Sequence, residues 1–107
     1  MAVLKCLKNV RVAGFSRLNA GTEIKPHSGF TGRPYGALAF HMGLVIPADE
    51  SCGFQCFNEV HVWRNPGDMI VFDDTFTHAA WNRHSDAVRI VLYIDFALDP
   101  HEWLLFP

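Results

Sequence analysis

The chain has 107 residues, half of them hydrophobic and 13% aromatic, with a formal net charge of -2. That length admits one domain with a modest core, and the composition excludes a disordered chain. Its 9 basic residues are scattered singly, so no stripe of positive charge is available for a phosphate backbone and nucleic acid is not an expected partner.

From the N-terminus, the first apolar stretch reads as a strand near Val3 to Leu7, and Lys5 and Lys8 interrupt it too early for a signal-peptide core. Further strands are expected near Val10 to Leu18, Thr22 to Lys25, Ala37 to Ile46, Gly53 to Phe57, Val60 to Trp63, Met69 to Phe72, Thr77 to Trp81 and Ala87 to Phe96. Turn signals separate them: Asn19-Ala20-Gly21, Ser28-Gly29, Thr31-Gly32-Arg33-Pro34, Asn65-Pro66-Gly67-Asp68 and Asn82-Arg83-His84-Ser85. About nine short strands in so short a chain point to an all-β barrel or sandwich. The one helix expected is a turn or so after Asp99-Pro100, with Asp99 as cap and Pro100 in the first turn. No repeat or linker divides the chain, so residues 1–107 are read as a single domain.

No apolar run approaches the roughly 20 residues needed to cross a bilayer, and a cytoplasmic protein is expected. Cys6, Cys52 and Cys56 are then reduced thiols rather than a disulfide framework. Cys52 and Cys56 with His61 make only a weak zinc pattern, and small core residues are the better reading of both cysteines.

Two strands can be read face by face, because side chains alternate across a sheet. In Ala37 to Ile46, the positions Ala37, Ala39, His41, Gly43 and Val45 form a small, histidine-bearing face. Leu38, Phe40, Met42, Leu44 and Ile46 form a bulky one. In Ala87 to Phe96, Arg89, Val91, Tyr93 and Asp95 oppose Val88, Ile90, Leu92, Ile94 and Phe96. The faces with His41 and Arg89 are expected to wall a cavity. The bulky faces need a cover, and a second copy of the chain is the expected one, giving a homodimer.

Taken singly, His27, after Pro26 at a strand end, stands where a metal ligand often sits, but an ordinary turn is the better reading. Four blocks change that weighting. The run from Phe15 to Gly29, His41-Met42-Gly43-Leu44-Val45-Ile46-Pro47, the segment Gly67 to Asn82 containing Phe72-Asp73-Asp74-Thr75-Phe76-Thr77-His78, and Val88 to Asp95 together resemble the aspartyl/asparaginyl β-hydroxylase family, in the family's order and over most of the chain. The resemblance implies a double-stranded β-helix, a cupin-like jelly-roll barrel, that binds Fe(II) and 2-oxoglutarate. By position, His27 and His78 would be the two iron ligands. Arg89 would meet the distal carboxylate of 2-oxoglutarate with its two-pronged fork, Ser16 would support that carboxylate, and His41 would lie near the chelating end.

The chain also departs from the pattern. A carboxylate ligand is commonly found two residues after the first histidine in non-haem iron sites, and Gly29 stands there. The family's animal peptide hydroxylases also carry glycine at this point, and Asp73 and Asp74 are read as turn residues. Ala37 and Ala39 stand where resembling hydroxylases carry arginines that grip cosubstrate and substrate carboxylates, so the resemblance does not carry over substrate recognition. Arg33 is a candidate replacement anion anchor, and Trp81 and Tyr93 are candidate pocket walls. The family normally has a helical N-terminal portion packed on the barrel, and a minimal barrel without it is expected here. The expected activity is hydroxylation of a C–H bond in a peptide Asp/Asn side chain, an amino acid or a related small substrate such as an acyl chain. The alternative is a non-catalytic cupin-like binder of metal or a small acid.

Overall fold

The computed structural model describes residues 10–29 and 37–97. The expected strand at Val3 to Leu7 and the helical turn after Asp99-Pro100 lie outside them. Eight strands run in chain order: β1 (Val10–Leu18), β2 (Thr22–His27), β3 (Ala37–Val45), β4 (Cys52–Cys56), β5 (Glu59–Val62), β6 (Met69–Asp73), β7 (His78–Asn82) and β8 (Arg89–Ala97). The β-branched and aromatic runs thus form strands within one or two residues of their expected limits.

The strands make two antiparallel four-stranded sheets, ordered β1-β8-β3-β6 and β2-β7-β4-β5. Successive strands therefore alternate between sheets, except β4 and β5, which pair with each other in one sheet. This is the jelly-roll arrangement, which buries one face of each sheet against the other. The expected cupin-like class holds as two facing sheets.

Side chains from both sheets meet in two clusters. Leu18, Ala39, Phe54, Phe72 and Ala80 form one, and Ile46, Cys52, Trp63 and Val91 the other. Asn82 is completely buried between them and the β7–β8 connection. Its Nδ2 donates to the carbonyls of Leu18 (3.0 Å) and Ala87 (2.9 Å), and its Oδ1 accepts from the backbone N–H of His84 (3.0 Å). Satisfying an amide this fully is what makes its burial tolerable.

Cys52 and Cys56 are free thiols, four residues apart on one face of β4. At about 3.3 Å per residue their Cα atoms are too far apart to share a zinc ion. His61 instead packs edge-on against Trp63, with ring centroids 4.7 Å apart.

The face assignment for β3 needs one correction. Ala39, His41 and Gly43 point between the sheets as expected, but the pairing with β8 slips between Gly43 and Val45. Beyond this bulge Val45 is turned outward to 45% exposure, and Ile46 enters the core at 8%. The extra residue reverses the alternation, so Ile46 is not part of the bulky outer face. That face is otherwise as expected. Leu38, Phe40, Val71, Ile94 and Phe96 line an all-apolar groove of about 360 Å³ on the outside of the β1-β8-β3-β6 sheet, and Val71 is 62% exposed.

Candidate functional site

A cavity of about 200 Å³ opens between the two sheets. It is walled by His27, Ala80 and His78 on one side, and by Ser16, Ala39, His41, Arg89 and Tyr93 on the other. Five of the residues expected at the site, Ser16, His27, His41, His78 and Arg89, therefore share one space. Tyr93 also lines it, with its ring laid across Gly14, where a side-chain carbon would meet the phenol at 3.1 Å. Glycine leaves room for the ring.

His27 reaches the cavity because of a bulge. Ile24 pairs with Ala80, and His27 pairs with His78, so three residues of β2 span what two residues of β7 span. Without the extra residue, alternation would point His27 to the opposite face. The two imidazoles come to 4.3 Å between centroids.

Their tautomers follow from their partners. His27 Nδ1 lies 2.9 Å from the Lys25 carbonyl and His78 Nδ1 2.8 Å from the Phe76 carbonyl. A carbonyl only accepts, so each Nδ1 carries the proton and donates it. When such a ring is neutral its Nε2 is unprotonated, the state in which histidine binds metals. Two Nε2 lone pairs supported by backbone carbonyls suit a divalent transition metal. Among the described residues, however, no three His, Cys, Asp or Glu side chains stand in a geometry that could hold a metal ion by themselves.

Asp74 is the neighbour that chain spacing did not reveal. It lines the same cavity, and its Oδ1 is 3.6 Å from His78 Nε2. Its backbone carbonyl accepts the Gly29 N–H at 2.7 Å. Asp73 is the turn residue it was expected to be: Oδ1 accepts from the Thr75 N–H (2.9 Å) and hydroxyl (2.7 Å).

Across the cavity, Arg89 is only 2% exposed. It donates to the Ser16 hydroxyl at 3.0 Å and to the Ser16 carbonyl at 3.4 Å, while its Nε is buried without a partner. No carboxylate of the described residues pairs with it. Burial pulls its pKa down, opposed by Cys52, yet a guanidinium stays charged in proteins. A buried cation with only neutral partners and a spare donor is suited to receive an anion.

His41 lies between the two ends. Burial first, then the charges of Arg89 and His78, lowers its pKa to about 4. It is therefore neutral at physiological pH, with Nδ1 buried and unpartnered. Phe72 and Phe54 pack edge-on against its ring at 5.0 and 5.8 Å.

Two expected residues do not join the site. Trp81 alternates with the inward-facing His78, Ala80 and Asn82, so it lies on the opposite face of β7. There its indole crosses Gly53, with the Arg83 guanidinium 4.9 Å from the ring centroid. The expectation that Trp81 lines the cavity is corrected accordingly. Arg33 lies outside the described residues.

The family model for aspartyl/asparaginyl beta-hydroxylase matches residues 1–98. The ornithine lipid ester-linked acyl 2-hydroxylase of Rhizobium tropici is 34% identical over 97 residues, covering 89% of this chain and 32% of that protein. The aspartyl/asparaginyl beta-hydroxylases of Mus musculus and Homo sapiens are each 36% identical over 81 residues, covering 76% of this chain and 10% of theirs. The chain thus spans a third or less of the length of these curated relatives.

Proposed function

The chain belongs to the aspartyl/asparaginyl β-hydroxylase family, and on that premise we propose that it is an Fe(II)- and 2-oxoglutarate-dependent hydroxylase. One observation carries the proposal: a single cavity joins two histidines, each with Nδ1 held by a backbone carbonyl, to a buried arginine that lacks a carboxylate partner among the described residues.

In this reading His27 and His78 hold the iron. The chemistry Fe(II) supplies when bound is oxygen activation, coupled to oxidation of 2-oxoglutarate to succinate and CO2 and to hydroxylation of a substrate C–H bond. The chain's own residues position and shield. Arg89 and Ser16 take the distal carboxylate of 2-oxoglutarate, which supplies the anion the guanidinium lacks. His41, neutral at physiological pH, offers an uncharged polar edge to the chelating end without adding a proton there. Ala39, Phe54, Phe72 and Ala80 exclude water from the space between.

Ala39 is 1% exposed in the cavity wall and presents a methyl group there. With Arg89 engaged by the cosubstrate, an apolar wall at this position favours an aliphatic segment, such as the acyl chain named for the Rhizobium tropici relative. An Asp/Asn side chain, named for the mammalian relatives, is the competing substrate. The free thiols of Cys52 and Cys56 support placing the protein in the cytoplasm, and the apolar outer groove supports a homodimer through that face.

The test is succinate release dependent on Fe(II) and 2-oxoglutarate across a panel of acyl and Asp/Asn-peptide substrates. It should fall to background in Arg89→Met. Metal binding without turnover on the whole panel would instead favour the non-catalytic binder, and unchanged metal content in the double variant His27→Ala, His78→Ala would refute both readings.

A further inference from the structure

The cavity between the sheets holds about 200 Å³, less than the roughly 300–1,000 Å³ usual for an organic ligand of drug size. A cosubstrate seated between Arg89 and the histidines leaves room there for the reacting end of a second molecule and little more. Further space lies next to it. The two sheets end in β6 and β5, and between these edge strands opens a cleft of about 240 Å³. Phe54 and Phe72 line both the cavity and the cleft, with ring centroids 4.5 Å apart. The partition is therefore made of side chains, and passage through it requires two rings to turn while the backbone stays in place. Resting on the hydroxylase reading above, we propose that the cleft between β5 and β6 binds an unbranched aliphatic chain, the tail of a substrate whose reacting carbon lies in the cavity.

The lining fits that chemistry. Ile70 and Phe72 pair with His41 and Ala39, which face between the sheets, and Cys56 shares the inward face of β4 with Phe54. Phe54, Cys56, Ile70 and Phe72 thus present carbon and sulfur to the cleft. Val60 and Val71 form its lips, 57% and 62% exposed, so a chain laid between them removes apolar surface from water. Cys56, Glu59 and His61 also line the cleft, but among the described residues no three such side chains could hold a metal ion. His61 turns its ring edge-on to Trp63. A peptide is the poorer occupant. Its N–H and C=O groups would lie unpaired against the apolar lining, and an edge strand takes a peptide alongside itself rather than between the sheets. Methylene groups need only area.

Primary alcohols from hexan-1-ol to decan-1-ol are the probe, because they carry a chain and no carboxylate for Arg89. Titrated by calorimetry into the wild type, they should bind about threefold to fourfold more tightly per added methylene. Cys56→Phe, which fills the cleft, should flatten this dependence and weaken decan-1-ol by roughly 10-fold or more. Leu38→Trp, which fills the outer groove instead, should change neither. Thermal unfolding checks each variant, and Ile70→Phe replaces Cys56→Phe if that variant does not fold. Affinity independent of chain length in the wild type, or a length dependence that persists with the cleft filled, overturns the proposal. Succinate release on acyl substrates separates this failure from that of the hydroxylase reading. Turnover without length-dependent alcohol binding refutes the cleft alone, whereas length-dependent binding that Cys56→Phe removes, with no turnover in the wild type, keeps the cleft as a chain-binding site and refutes the hydroxylase.

Discussion

A histidine held neutral by burial makes the fold sensitive to acid, and His41 allows the size of the effect to be worked out. Its pKa is about 4 in the folded protein against an ordinary 6.5, lowered by burial first and then by Arg89 and His78. Between those values the unfolded chain binds the proton and the folded chain does not, so stability rises with pH across this window. The contribution is fully present above 6.5 and is lost as pH falls toward 4. At about pH 4.5 the linkage relation gives a loss of roughly 2.5 kcal/mol, an upper figure because local relaxation would reduce it. For a domain whose whole stability is on the order of 5–15 kcal/mol, that is a large share. Urea unfolding of the wild type and His41→Gln at about pH 7.5 and about pH 4.5 isolates it, since Asp49, Asp68 and His61 titrate alike in both proteins and cancel in the difference. The wild-type curve should steepen relative to the variant by about 2 kcal/mol between these pH values. Parallel curves, within about 0.5 kcal/mol, would show that burial does not hold His41 neutral in the folded protein.

Asn82→Ala leaves the carbonyls of Leu18 and Ala87 and the N–H of His84 without their partners; the expected cost is about 3 kcal/mol in urea unfolding, and a loss below about 1 kcal/mol would mean that water replaces all three. Gly53→Ala puts a methyl group into the Trp81 indole and should cost about 1–3 kcal/mol by overpacking, with a shifted tryptophan emission as the local signature. If the outer groove is a dimer interface, wild-type protein sediments as a dimer at micromolar concentration and Val71→Lys, at a position 62% exposed in the single chain, sediments as a monomer; a monodisperse wild-type monomer refutes the interface.

Much of the architecture was legible because period-2 alternation and turn residues are local. The all-β class and the small and bulky faces of β3 and β8 could be read from residue types alone, and the blocks around His27, His41, His78 and Arg89 carried the family. Illegible were features set by contacts between strands. Trp81 looked like a cavity wall because it is aromatic and close in sequence to His78, but a three-residue separation in a strand points the two to opposite faces. Asp74 looked like a turn residue because Asp73 beside it is one, but its side chain lines the cavity beside His78.

The two bulges explain both the success and the failure of the face-by-face reading. In β3 alternation holds from Ala39 to Gly43 and reverses at the slip, sending Ile46 inward to pack against the face of Gly43, where an added carbon would meet Ile46 Cγ1 at 2.8 Å. In β2 the slip between Ile24 and His27 turns the histidine toward its partner on β7. One bulge therefore brings Ile46 into the core, and the other aims His27 into the cavity. An unpaired residue costs a ladder bond, and here each one places a side chain that regular alternation would have turned away from the interior. The site depends on an irregularity that no residue-type pattern announces. Deleting one residue from Lys25-Pro26 should therefore restore the alternation of β2, turn His27 to solvent and abolish metal binding while the sheet survives. Retained Mn(II) affinity in that deletion, with β-sheet circular dichroism unchanged, would show that the bulge is not what aims His27.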